Sequence, residues 1–215
     1  MKKQSRKERE FQRREEEILE ISLELFKKLG VDKVTVEKIA AEVGIAKGTI
    51  YKHFGTKEEI FATLFCEMIA DLIEGVRSVD LNLPISEQIE QYFSAYISFA
   101  ANNAESFLLY SQFRQILNPQ SSDKGFEKIK NPAIRQRMEE HEKFIYQFAE
   151  EMLGKGVRAG VLKDLPIHHL ICIGDGVMEG VIRSSLIGKY AHTIKDRKKL
   201  FLNMKEVMLK GLLAK

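Results

Sequence analysis

Residues 35–54 read TVEKIAAEVGIAKGTIYKHF. Val36, Ile39 and Ala40 recur at helical spacing and make one apolar face. Ala40 is small, which lets a second helix cross close above it. Gly44 then breaks the pattern where a left-handed backbone is required, a conformation that costs glycine least. A second short helix is expected over about Lys47–His53, with Ile45, Ile50 and Phe54 spaced to plug a small bundle. Its exposed face carries Lys47, Gly48, Thr49, Tyr51, Lys52 and His53. Two short helices around a glycine turn, the second basic and polar outside, form a helix-turn-helix, which lays its second helix in the major groove of double-stranded DNA.

The chemistry of that face suits the groove. A helix N-terminus presents free N–H groups and the positive end of its dipole, which favours phosphate. Gly48 inside a helix costs about 1 kcal/mol relative to alanine, offset by a closer approach of backbone to DNA. Thr49 can offer its methyl to thymine or its hydroxyl to a base edge. Tyr51, Lys52 and His53 can reach phosphates or bases, and Lys57 and the Thr35 hydroxyl can hold further phosphates. Charge agrees: residues 1–57 hold 14 Lys and Arg against 10 Asp and Glu, whereas the rest hold 20 against 21. The basic excess is concentrated where phosphate attraction needs it.

Outward from this motif the pattern stays helical, with no sustained period-2 alternation. A first helix is expected at about 11–29, behind a basic, frayed lead-in at Met1–Glu10 and ahead of a Gly30 cap. Thr56 and Glu59 read as a capping box that opens a fourth helix from Lys57 to about Val79. Further helices are expected at about 86–102, 104–117, 132–155, 167–187 and 195–213. Asn118–Asn131 reads as a polar, mobile loop, and Gly154, Gly156 and Gly160 as loosening the end of the long helix at 132–155. The fold class is all-α, with about nine helices. Residues 1–56 form a three-helix head, and residues 57–215 a larger helical body.

Several function classes fall away. Cys66 and Cys172 are far apart, without the spacing of a zinc ribbon or redox dithiol. No metal-spaced His/Cys cluster, nucleophile elbow or phosphate-binding glycine loop occurs. No enzyme activity, cofactor or metal is therefore expected. The lead-in lacks an apolar core, so it is no signal peptide. No apolar run reaches 18 residues, so no membrane span is expected, and the chain reads as cytoplasmic.

The head resembles the tetracycline-repressor-like (TetR) family of bacterial regulators. The resemblance rests on Gly30, T-V-x-x-I-A from Thr35 to Ala40, G-I-A-K-G-T-I-Y-K-H-F from Gly44 to Phe54, and K-E-E-I-F from Lys57 to Phe61. It covers about residues 18–65. Where the family commonly has serine this chain has Ala46, which removes an N-cap and a phosphate-contacting hydroxyl. The resemblance implies a helical C-terminal domain that binds a small molecule and dimerises through its last two helices.

The body sequence bears on both roles. Gly176, Gly180 and Ser184 recur at i, i+4 and i+8, a stripe of small residues that lets helices approach closely. With Ile173 and Val177, and with Phe201, Met204 and Met208 on the last helix, they are the candidate homodimer face. Tyr96, Phe99, Phe107, Tyr110, Phe144 and Phe148, with the polar Arg114 and His141, are the candidate lining of an effector cavity, although the same aromatics suit an ordinary core. Asp175 and Glu179 either meet a polar ligand group or pair with Arg183 across a dimer. The expected function is a ligand-responsive regulator, a repressor binding a near-palindromic operator as a dimer. A small apolar or amphipathic effector would release it by displacing the fourth helix and spreading the heads. The alternative is a regulator of the same fold without a small-molecule ligand.

Overall fold

A computed structural model describes residues 5–102, 104–117, 124–189 and 191–214. Nine helices occur among the described residues: α1 (Arg6–Leu29), α2 (Val36–Val43), α3 (Lys47–His53), α4 (Lys57–Arg77), α5 (Ile85–Asn102), α6 (Ala104–Leu117), α7 (Pro132–Arg158), α8 (Ile167–Ile187) and α9 (Arg197–Leu212). Short 3-10 turns lie at Val31–Lys33, Phe126–Lys128 and Ala191–Thr193. Among the described residues β structure amounts to one antiparallel bridge, Leu162 to Leu213. The fold is all-α, as expected.

The chain gathers into two compact units. One takes the residues up to Glu67 together with Gln112–Met138; the other takes Met68–Ser111 and Glu139–Lys215. The first unit is therefore built from two stretches of chain.

Its core explains the grouping. Phe26 of α1, Phe61 of α4 and Phe113 of α6 are all fully buried. Phe26 meets Phe61 edge-on at 4.7 Å and Phe113 at 5.8 Å, while Phe61 and Phe113 stack at 5.2 Å. Burial stabilises each ring by about 2–3 kcal/mol, and edge-on and offset contacts between rings add to that. Ile18, Ile39, Ile50 and Phe54 close the bundle from α1, α2 and the α3 end. Ile45, expected among the plugs, is only half-buried.

Helix α1 begins five residues earlier than its apolar periodicity suggests. Ser5 caps it: its hydroxyl accepts from Glu8 N at 3.2 Å, and Ser5 N donates to the Glu8 carboxylate at 2.7 Å. The lead-in is thus helical from Arg6 and not frayed there. Of the loop expected at Asn118–Asn131, residues 118–123 lie outside the described residues; the remainder holds the turn Phe126–Lys128.

In the second unit, Tyr92 stacks on Phe148 at 5.9 Å and Phe99 meets Phe107 at 6.3 Å. Gly156 does not loosen α7, which continues to Arg158. A Cβ at Gly156 would stand 2.6 Å from the Ile89 side chain and 2.8 Å from Leu162, so the missing side chain is what admits α5 so close. Lys205 of α9 reaches Glu90 at 3.1 Å and Ser94 at 3.3 Å on α5.

The expected dimer face divides. Ile173, Gly176, Val177, Gly180 and Ser184 are exposed, and a Cβ at either glycine would meet open space. Phe201, Met204 and Met208 instead point inward and are buried within their own chain, so they are corrected from dimer face to core. The apolar residues that α9 exposes are Leu202 and Val207. Heptad-like spacing alone could not tell which of the two apolar stripes of α9 faces in.

Candidate nucleic-acid interface

The turn that sets the two short helices forms as its residue types dictate. Thr35 caps α2, its hydroxyl accepting from Lys38 N at 3.3 Å. Gly44 ends α2 in the left-handed region, φ 75° and ψ 32°. Its N–H reaches Ala41 O at 3.2 Å, and Ile45 N reaches Ala40 O at 2.9 Å. These bonds satisfy the last carbonyls of α2 and turn the chain into α3. Ile50 is fully buried, which fixes the inward side of α3.

The opposite side presents most of the expected set. Lys47, Gly48, Tyr51 and Lys52 are exposed, with Thr49 half-exposed beside them. Tyr51 leaves 46% of its surface in solvent. A Cβ at Gly48 would meet open space, so nothing within the chain requires glycine there. Ala46 is the N-cap of α3 and supplies no side-chain hydrogen bond, as the loss of the usual serine implies.

Electrostatics refine the picture. The Lys47 ammonium is paired with the Glu37 carboxylate of α2 and sits 5.5 Å from the centre of the Tyr51 ring. The hydrogen bond from Lys47 holds Glu37 well below the usual carboxylate range, to about 2, and Glu37 in return pushes Lys47 up. The pair is solvent-facing and adds little to stability. It does mean that one candidate phosphate-binding cation carries its own counter-ion.

Two candidates are turned to other tasks. Lys57 Nζ donates to Val34 O at 3.1 Å and Val31 O at 3.3 Å, and lies 5.1 Å from the Phe61 ring centre. The ammonium closes carbonyls of the turn at Val31–Lys33 instead of standing clear on the surface. His53 stacks on Phe11 of α1, ring centres 4.0 Å apart. Its Nδ1 is buried without a hydrogen-bond partner among the described residues. Burial, with the Arg14 charge added, lowers its pKa. Phe11 was missed by sequence reasoning; its signal is a lone aromatic among the charges of the lead-in.

The sequence marks Glu59 only as half of a capping box. Thr56 Oγ1 does accept from Glu59 N at 3.2 Å. The Glu59 carboxylate, however, is 3% exposed and accepts from Gly55 N at 2.7 Å, Lys130 N at 2.8 Å and Asn131 N at 2.7 Å. No sequence signal pairs residue 59 with residues 130 and 131.

The candidate effector residues do not converge. In the second unit a small, mostly apolar cavity of about 30 Å³ is lined by Tyr92, Phe93 and Tyr96 of α5, with Leu153, Asp175, Met178 and Met208 among the others. Among the candidates whose side chains are described, Tyr96 alone lines it, its hydroxyl donating to Asp175 at 3.2 Å. Phe99 instead lines an open, polar groove of about 740 Å³ with Asp71, Glu87 and Glu90. Phe107 is core. Phe144 lies under the Arg77 guanidinium at 5.0 Å and 6.1 Å from Phe148, and neither borders the cavity. His141, half-buried on α7, is absent from its lining as well. Arg114 is exposed and belongs to the first unit. The Tyr110 side chain lies outside the described residues. Glu179 and Arg183 pair within α8 at 2.9 Å, so Arg183 has a partner in its own helix.

Comparison with known proteins agrees with this geometry. Residues 18–64 match the model of the bacterial regulatory proteins of the tetR family. The fatty acid metabolism regulator protein of Bacillus subtilis is 25% identical over 150 residues, 69% of this chain and 70% of that protein. The class D tetracycline repressor protein of Escherichia coli is 33% identical over 92 residues, 43% of this chain and 37% of its own. The crystal structure of the transcriptional regulator FadR from Bacillus subtilis in complex with stearoyl-CoA superposes with a TM-score of 0.62 at 21% identity, over 91% of this chain and 97% of that one. No helix among the described residues is long and apolar enough to cross a membrane. Residues 18–64 thus carry the helix-turn-helix region of the bacterial regulatory proteins of the tetR family, and the chain as a whole shares the fold of solved tetR-family regulators.

Proposed function

We propose that this regulator is a repressor that binds a near-palindromic operator as a homodimer and is released by a small apolar or amphipathic effector. The observation that carries the DNA half is the outer face of α3, where Lys47, Gly48, Thr49, Tyr51 and Lys52 stand clear of the bundle that buries Ile50. In this reading Thr49 meets a base edge, and Lys47, Tyr51, Lys52 and the Thr35 hydroxyl meet phosphates. Residues 1–56 read DNA, and residues 57–215 sense the effector and dimerise. One short helix reads too few bases for useful specificity, which argues for two heads on successive major grooves. The exposed Ile173, Val177, Leu202 and Val207 beside the Gly176 and Gly180 stripe supply an apolar face for the second copy.

An acylated effector is supported by what similar proteins are named for and were crystallised with. One is named a fatty acid metabolism regulator, and one was crystallised with stearoyl-CoA. The cavity bounded by Tyr92, Phe93 and Tyr96 has the apolar walls such a chain needs. At about 30 Å³ it holds no more than a water, so binding must open it. Effector and DNA then weaken each other reciprocally. The test is fluorescence anisotropy of a labelled duplex, selected from a randomised library, during titration with stearoyl-CoA and with free stearate. Release of the duplex supports the reading; a stable ternary complex with no mutual weakening rejects the switch.

The same small volume favours a second reading, a regulator of this fold without a small-molecule ligand. Unchanged melting temperature across a panel of acyl thioesters, fatty acids and amphiphilic amines is its expected result.

A further inference from the structure

A carboxylate as deeply buried as that of Glu59 stays in a protein interior only when donors occupy its lone pairs. Here the donors come from two places. Oε2 accepts from Gly55 N, the residue after the α3 cap Phe54. Oε1 accepts from Lys130 N and Asn131 N, just ahead of α7. A helix cap needs only the first of these. The second oxygen joins the exit of the recognition helix to a segment more than 70 positions away.

The surroundings are built to hold that junction. Thr56 Oγ1 donates to Lys128 O at 3.2 Å, and the Lys128 ammonium meets Glu58 at 3.2 Å. The Asn131 side chain caps α7, accepting from Ala133 N at 3.0 Å and Ile134 N at 3.4 Å. Arg135 closes the segment from the other side, donating to Ile129 O with its guanidinium 5.0 Å from the Phe126 ring centre. All of these residues lie in the first unit.

We propose that Glu59 is a positioning residue for DNA reading: its one carboxylate holds the exit of α3 and the start of α7 in a single register. The pose of the recognition helix then depends on where α7 begins. The proposal rests on the assignment of α3 as the DNA-reading helix. Charge-assisted bonds to backbone N–H groups are short and directional, so the link transmits displacement where an apolar contact would slide. Glutamine at this position keeps the volume but offers one acceptor oxygen, and its amide group would face N–H donors.

The test uses the full chain as wild type, Glu59→Gln, Asn131→Ala and the double variant. Hydrogen exchange is read at the amides of Gly55, Lys130 and Asn131 without DNA, and affinity is read on a duplex selected from a randomised library. Glu59→Gln is expected to speed exchange at all three amides and to weaken the duplex about tenfold, the loss of one charge-assisted bond. Asn131→Ala leaves Glu59 in place and loosens the start of α7. It is expected to speed exchange at Gly55, across the carboxylate, but to add nothing there when Glu59 is already glutamine, a non-additivity that unconnected sites do not show. The proposal is overturned if Asn131→Ala leaves Gly55 exchange unchanged, or if folded Glu59→Gln binds the duplex with wild-type affinity. Should Glu59→Gln not fold, the response of Gly55 to Asn131→Ala alone decides. Should the wild type select no duplex, the DNA-reading assignment fails, and the exchange arm still decides whether the two segments are coupled.

Discussion

The imidazole of His53, the last residue of the recognition helix, is stacked on Phe11 at 4.0 Å. A residue expected at the DNA surface is thereby tied to the first helix. Burial, and after it the Arg14 charge, oppose protonation of the ring and lower its pKa. A histidine whose folded pKa is depressed contributes stability above its unfolded pKa of about 6.5 and loses it as pH falls through the folded value. Phe11→Ala is expected to lift the His53 titration toward the ordinary range and to cost about 0.5–1.5 kcal/mol. Imidazole chemical shifts against pH and a denaturant curve check both.

The lysines of the head separate into two kinds. Lys57→Ala removes bonds to Val31 O and Val34 O and is expected to lower stability by about 1–2 kcal/mol while leaving the salt dependence of DNA binding nearly unchanged. Lys52→Ala is expected to do the reverse, reducing the slope of log K against log salt by about one. Anisotropy at several salt concentrations, beside thermal melts, distinguishes them.

Glu37 masks Lys47. Glu37→Gln is expected to tighten binding to every duplex tested, because it frees an ammonium and removes a negative charge from the surface that meets phosphate. Thr49→Ala, by contrast, should change preference at one base pair with little effect on non-specific binding. Selection on a randomised duplex library reads both.

Glu15 and Glu67 form a strained corner of the first unit. Burial raises the Glu15 pKa, with the charges of Glu67 and Glu16 adding to it. Burial also raises Glu67, Glu16 assists and Arg137 opposes. A carboxylate with a raised folded pKa stabilises most below about pH 4.5 and less as pH rises through the folded value. Glu15→Gln should therefore raise the melting temperature at pH 7, with the gain shrinking toward pH 4. A gain that is equal at both pH values rejects the assignment.

The α8 face gives the sharpest test of assembly. If the proposed dimer forms through this face, Val177→Arg is expected to leave a folded monomer of about 25 kDa by sedimentation, since it places a charge at the centre of the proposed apolar interface. Met204→Arg should instead unfold the chain, because Met204 is buried within it.

Local pattern explains what was legible. The Gly44 turn, the outward face of α3 and the uncapped Ala46 follow from residue types within twenty positions of one another. Ser5 and Glu8 also carried a readable capping signal, hidden behind the charge of the lead-in. What escaped depends on distant partners. Whether α9 turns Met204 or Val207 inward is settled by α5 and α8, and two apolar stripes on one helix look alike in sequence. The aromatics of the body pack in several places instead of around one cavity, and composition cannot distribute them. Lys57 and Glu59 sit in a run that reads as a solvated helix start, yet their charges are spent on backbone groups at residues 31, 34, 130 and 131.

The assembly of the first unit from two separate stretches has a consequence for the newly made chain. Phe26 and Phe61 emerge from the ribosome well before Phe113, the ring that completes their cluster. At about 5–20 residues per second, the roughly 70 residues between Glu67 and Met138 take about 4–14 s to synthesise. During that interval the Phe26–Phe61 pair lacks the ring of Phe113 that covers it. The first unit therefore cannot complete its core until the chain has been made as far as Met138, with Glu139–Lys215 of the second unit still to come.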